Sequence, residues 1–262
     1  MKLLLKIAYL GTNYSGYQVQ PNGVTVQQRL NEATKALFGF DCDIVGCSRT
    51  DSGVHARGFV CAVTKRGEDV LPTTVPVSRI PRALNVLLPA DISVLHAALV
   101  PRDFHPRYDV VSKEYEYLYY NGCERSPFLV GRAMPLPLSL TADAVAAMDK
   151  AAKGFVGKYD FAALCDGGSE VREKDTVREI YAASVKFEGD LISFRVRGNG
   201  FLYHMVRVMA GTLLAVARGK IPAEEIPARL LTLDRTRFGS TAPAEGLYLD
   251  SVFYETELFG DK

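Results

Sequence analysis

At 262 residues, with 48% hydrophobic and 23% charged side chains, the chain can bury a sizeable core and is too apolar for disorder. A net charge of +1 excludes a uniformly basic nucleic-acid coat, and five cysteines without a CxxC pair exclude a disulfide framework or a zinc ribbon. No run of about 18 apolar residues offers a membrane span, and no small-residue cleavage pattern follows MKLLLKIAYLG, so a cytoplasmic protein with reduced thiols is expected.

In chain order, KLLLKIAYLG reads as a strand apolar on both faces and therefore interior. GTNYSGYQVQPNG is a Gly/Asn/Pro loop. TVQQRLNEATKALFG starts with Thr25 and Gln28 at capping-box spacing, lines up Val26, Leu30, Ala33 and Leu37 on one helical face, and stops at Gly39. GCSRTDSGVHARG (46–58) forms a turn that leads into a strand from about Phe59 to Thr64. SRIPRALNVLLP predicts a second helix and DISVLHAALV a strand. VPRDFHPRYDVV is a polar, proline-punctuated connection, and it sets the expected boundary between halves 1–107 and 108–262.

In SKEYEYLYYN, Lys113, Tyr115, Tyr117 and Tyr119 fall on one face of a strand. LTADAVAAMDKAAKGFVG predicts a helix. VREIYAASVKFEGD and LISFRVRGNG predict a hairpin turning at Gly189-Asp190, with Arg195 and Arg197 opposite Ile192, Phe194 and Val196. FLYHMVRVMAGTLLAVARGK predicts a buried helix that nevertheless carries Arg207. A helix from Ala223 and a strand in GLYLDSVFYE close the chain. Strands and helices mix without strict alternation, which predicts an α+β fold of two related halves.

Charge is segregated although the total is near zero. Leu191 to Ala223 holds no acid but has Arg195, Arg197, Arg207, Arg218 and Lys220. Ser52 to Gly67 holds no acid but has Arg57, Lys65 and Arg66. Acids gather instead in GSEVREKD and PAEEIPARL. Such a distribution permits a basic cleft on a neutral protein.

Two readings of Asp51 stand. Asp followed two residues later by Gly is ordinary turn chemistry. A carboxylate beside Arg49, kept ionised by a guanidinium, is also a competent nucleophile toward an electrophilic carbon. Arg207 invites the same pairing, because a cation inside an apolar helix needs a counter-charge unless it snorkels to water. The tyrosine face of KEYEYLYY fits strand packing, and it also fits a platform for an extruded base. The four histidines show no metal-ligand spacing, so no metal site is expected.

GCSRTDSGVHARG closely resembles the RTDxGVHA signature of the TruA family of tRNA pseudouridine synthases. YLGTNYSGYQVQPNGVTVQQRL, LNVLLPADISV, FHPRYD, SKEYEY, FLYHMVRVMAGTLL and APAEGLYLDSVFY resemble further blocks of that family in order, over essentially the whole chain. One departure is Tyr17, where the family usually has tryptophan.

The resemblance implies the pseudouridine synthase fold: two halves, each a mainly antiparallel sheet with helices on one face, and a basic cleft between them. It implies isomerisation of uridine to pseudouridine at positions 38, 39 and 40 of the tRNA anticodon stem-loop, without cofactor or metal, by a homodimer on which each tRNA spans both subunits. Carried over by motif, Asp51 is the nucleophile and Arg207 its salt-bridge partner. Tyr115 packs on the base and transfers a proton, and Arg49 fills the gap left by the flipped uridine. Arg57, Arg195 and Arg197 would meet phosphates. The competing class is a non-catalytic RNA-binding or RNA-folding protein on the same scaffold. It has no reason to keep Asp51, Arg207 and Tyr115 together.

Overall fold

The computed structural model describes residues 1–166 and 175–260. Apart from Asp175, the acidic GSEVREKD run lies outside the described residues. The chain forms two compact units, Met1–Val111 with Leu249–Lys262, and Ser112–Tyr248. The division thus falls four residues beyond the 107/108 boundary expected from sequence, and the last strand groups mainly with the first unit.

The first unit contains β1 (Lys2–Tyr9), α1 (Val26–Phe38), β2 (Cys42–Gly46), β3 (His55–Lys65), α2 (Ile80–Leu87) and β4 (Ile92–Val100). Its sheet runs β4-β1-β3-β10, where β10 is Leu247–Tyr254, and β2 also pairs with β3. β1 is antiparallel to both β3 and β4, so Leu3, Leu4, Leu5 and Ile7 are fully buried, as a strand apolar on both faces requires. Its register with β3 shifts between Ile7 and Tyr9, beside the start of β3. Bulges of this kind re-aim the chain near functional loops.

α1 is capped as its sequence dictates: the Thr25 side chain accepts the Gln28 N–H at 3.3 Å, and Gly39 closes the helix at φ +79°. The Gln28 side chain does not complete a reciprocal box; its amide donates to Glu32 instead. α1 and α2 touch each other, and α2 packs on β4.

The second unit contains β5 (Val110–Tyr120), the two-residue β6 (Met134–Pro135), α3 (Ala142–Lys153), β7 (Gly157–Asp160), β8 (Val177–Glu188), β9 (Leu191–Gly198), α4 (Met205–Ala217) and α5 (Ile226–Leu230). Its sheet runs β5-β9-β8-β7 in antiparallel order. The hairpin turns at Gly189 (φ +65°) and Asp190, with Glu188 opposite Leu191, as the sequence predicts. α3 packs on β8 and on α4.

Three boundaries differ from expectation. β3 begins at His55 rather than near Phe59. α4 begins only at Met205, because His204 sits in the left-handed region at φ +60°. The helix expected from Ala223 is a 3-10 turn, Ala223–Glu225, followed by the short α5. No helix of the described residues is long and apolar enough to cross a membrane.

Candidate active site

The RTDSGVHA segment of the first unit is a laced turn. The Val54 N–H donates to the Asp51 carbonyl at 3.2 Å, and Gly53 takes φ +78°, which a side chain would disfavour. Both flanks are tied to the loop that follows β1. Tyr17 N–H donates to Thr50 O at 3.1 Å, and Ser52 Oγ donates to Tyr14 O at 3.2 Å. The Tyr9 and Thr50 hydroxyls lie 2.8 Å apart.

His55 is fully buried, and its Nδ1 accepts the Gly11 N–H at 2.9 Å. Accepting at Nδ1 leaves the imidazole proton on Nε2. Gly11 is required for this approach, since a Cβ there would collide with the Val54 carbonyl. The loop is anchored once more at Tyr14, whose hydroxyl donates to Asp91 Oδ1 at 2.5 Å. Burial, then that carboxylate, raises the Tyr14 pKa well above the usual phenol value. The half-buried Asp51 is therefore presented by a backbone with little freedom.

Tyr17 stacks on Phe59 with centroids 4.2 Å apart and is almost fully buried. A ring is thus retained at the position where the resembling family has tryptophan. Its hydroxyl is enclosed near the Cys61 and Cys47 thiols, and burial raises its pKa strongly.

In the second unit, Tyr115 pairs with Val196 and meets Phe201 edge-on at 5.0 Å. Tyr117 and Tyr119 share its face but have their hydroxyls on backbone carbonyls, Pro243 at 2.8 Å and Ala210 at 2.7 Å. Tyr117 and Tyr119 therefore tie the strand to its surroundings, and Tyr115 is buried beside them.

Arg207 lies in the first turn of α4, not mid-helix as the sequence suggested. Its Nε donates to Ala242 O at 2.8 Å, and Ala242 N donates back to Arg207 O at 3.0 Å. A cation there opposes the helix dipole, so the position itself favours a nearby anion.

The entry to α4 is held by contacts that sequence reading missed. His204 stacks on Tyr203 at 3.8 Å, and its Nδ1 lies 3.2 Å from Asp166 Oδ2. That carboxylate also accepts the Thr241 hydroxyl at 2.7 Å; the hydroxyl, then His204, lowers its pKa. A histidine directly before the helix was the one available signal, because His tolerates positive φ better than most residues.

The remaining arginines are distributed unevenly. Arg49 is exposed two residues before Asp51. Arg57 is bridged to Asp250 at 3.0 Å. Arg195 sits between Glu116 at 2.8 Å and Glu114 at 3.7 Å, and Arg197 donates to Ser112 Oγ at 3.0 Å. Strand register pairs Glu116 with Arg195 and Tyr115 with Val196, so these two arginines lie on the sheet face opposite Tyr115. The glutamates on β5 could have warned of this, since they alternate with the tyrosines.

The family model described as tRNA pseudouridine synthase matches residues 6–109 and 151–255. This chain belongs to the tRNA pseudouridine synthase family. The first match contains Arg49, Asp51 and Arg57, and the second contains Arg195, Arg197 and Arg207; Tyr115 lies between them. A protein of Ruminiclostridium cellulolyticum named tRNA pseudouridine synthase A is 44% identical over 254 residues, 97% of this chain and 99% of its own length. One of Bacillus pumilus with the same name is 44% identical over 257 residues, 97% and 100% of the two chains. One of Caldicellulosiruptor bescii is 40% identical over 252 residues, 96% and 99%. Membership in this synthase family therefore extends over nearly the whole α+β chain.

Proposed function

We propose that the protein is an isomerase converting uridine to pseudouridine in tRNA. The observation that carries this reading is the near-full-length match to proteins named tRNA pseudouridine synthase A. The laced loop around Asp51 supports it further. The reaction breaks the C1′–N1 glycosidic bond, turns the uracil, joins C5 to C1′, releases the C5 hydrogen as a proton and returns a proton to N1. It is redox-neutral and adds no atoms.

Asp51 is the nucleophile. Arg207 is the salt-bridge partner of Asp51. Tyr115 packs on the extruded uracil and accepts or relays the proton. Arg49 takes the place of the flipped nucleotide in the stem, offsetting an unstacking cost of roughly a few kcal/mol. Arg57, Arg195 and Arg197, each already steadied by Asp250, Glu116 or Ser112, contact phosphates away from the target. The substrate positions are uridines 38, 39 and 40 of the anticodon stem-loop, and the working form is a cytoplasmic homodimer.

Tritium release from tRNA labelled at uridine C5 tests the reaction, and pseudouridine mapping in the product tests the positions. Asp51→Asn should lower turnover by roughly 10³-fold or more while leaving tRNA binding in place. Wild-type turnover in that variant would remove Asp51 from the chemistry.

A further inference from the structure

Arg49 does not stand alone. With Gln18, Gln27, His105, Arg107 and Tyr108 it lines a cavity of about 280 Å³ within the first unit. The lining holds two guanidiniums and no carboxylate. Among the described residues neither Arg49 nor Arg107 makes an ion pair, whereas Arg57 and Arg195 are both bridged to acids. Unneutralised guanidiniums sharing one concavity suit a phosphate, which they can meet with paired N–H groups.

The aromatic wall is preformed. Tyr108 exposes 76% of its surface, yet its ring is stacked on His105 at 4.2 Å and 28°. His105 Nδ1 accepts the backbone N–H groups of Arg107 at 3.2 Å and Tyr108 at 3.3 Å. The His105 N–H donates to Asp109 Oδ2 at 2.8 Å, and the Tyr254 hydroxyl donates to Pro106 O at 2.7 Å. The turn is thus fastened at both ends while the outer face of the Tyr108 ring stays in water. The Gln27 side chain is part of the wall, accepting from Val19 N–H at 2.9 Å and donating to Ile44 O at 2.7 Å. Gln18 remains as the amide able to meet a base edge.

We propose that this cavity is a nucleotide pocket for the RNA strand flanking the target uridine. A base stacks on Tyr108, and its phosphate lies against Arg107, and against Arg49 until that side chain enters the stem. The proposal rests on the tRNA-modifying function above and adds a subsite to it. Stacking accepts any base. The pocket therefore fixes the position of the strand rather than its sequence, which suits an enzyme that must use neighbouring uridines in different contexts.

The chain contains no tryptophan, so Tyr108→Trp installs a single fluorescent reporter. Titration with an unmodified tRNA transcript should quench its emission with the midpoint found by filter binding. Tyr108→Ala and Arg107→Ala should each raise KM about 10-fold, the scale of one lost base stack, with kcat affected far less. Tyr108→Phe should recover most of the affinity lost in Tyr108→Ala. Constant emission while filter binding saturates, or a wild-type KM for Tyr108→Ala, overturns the pocket. Absence of tritium release by the wild-type protein overturns the enzymatic reading instead. The fluorescence and filter-binding results do not depend on turnover, so the two failures are distinguishable.

Discussion

Asp51 and Arg207 are both fixed by backbone rather than by side-chain packing alone. Gly53 supplies the positive φ that turns the chain at Asp51, and Gly11 lets the His55–Gly11 hydrogen bond form behind it. Arg207 is clamped to Ala242 in both directions. Arg207→Ala removes one of those bonds and the half-buried charge, so a stability loss of about 1–2 kcal/mol is expected together with loss of tritium release. Arg207→Lys keeps the charge but cannot donate from Nε, and should recover part of the activity. A fully active, normally stable Arg207→Ala protein would show that no carboxylate depends on it. Asp51 was legible in the sequence because a motif surrounds it. The His204–Asp166–Thr241 contacts were not, since their members come from three separated segments.

At the scale of elements, loops and strands do the positioning. The loop after β1 is pinned to the start of β4 through Tyr14 and Asp91. Tyr14→Phe should therefore cost about 1.5 kcal/mol, the worth of a hydrogen bond to a charged acceptor, and should slow turnover more than it weakens tRNA binding. Thermal melts and a kcat/KM split check this. On β5, alternation puts Tyr115, Tyr117 and Tyr119 on one face and Glu114 and Glu116 on the other. Glu116 is almost fully buried, with Arg195 and Ser193 as partners. Arg195→Ala would leave that carboxylate without its cation. The expected loss is about 2 kcal/mol, below the 3–5 of a wholly buried pair because Arg195 remains 43% exposed. Chemical denaturation should register it with the m-value unchanged. Weaker tRNA binding in the same variant would report the phosphate contact proposed for it, and unchanged stability would show that the buried Glu116 does not depend on Arg195.

Across the whole molecule, both units contain buried apolar residues, and the cysteines of the first unit report on its interior. Cys42, Cys47 and Cys61 are buried, Cys165 is half-buried and Cys123 is exposed. Burial pushes the Cys61 thiol up to about 12, so almost no thiolate exists there at neutral pH. A thiol reagent at pH 8 should label Cys123 quickly and leave Cys42, Cys47 and Cys61 untouched until denaturant is added. Rapid labelling of all five in the native protein would contradict a closed core.

The sequence by itself determined the α+β class, most element positions, the Gly189-Asp190 hairpin and the family. Each is written in local periodicity, in turn residues with fixed φ requirements, or in contiguous motifs such as RTDSGVHA. Tertiary structure alone decided the partners of the arginines, because ion pairing depends on which strands become neighbours and in what register. It moved Arg207 to a helix end through the conformation of His204, and it set Arg195 and Arg197 on the face away from Tyr115. It also brought Tyr108 and Arg107 into one cavity with Arg49, more than fifty positions away along the chain.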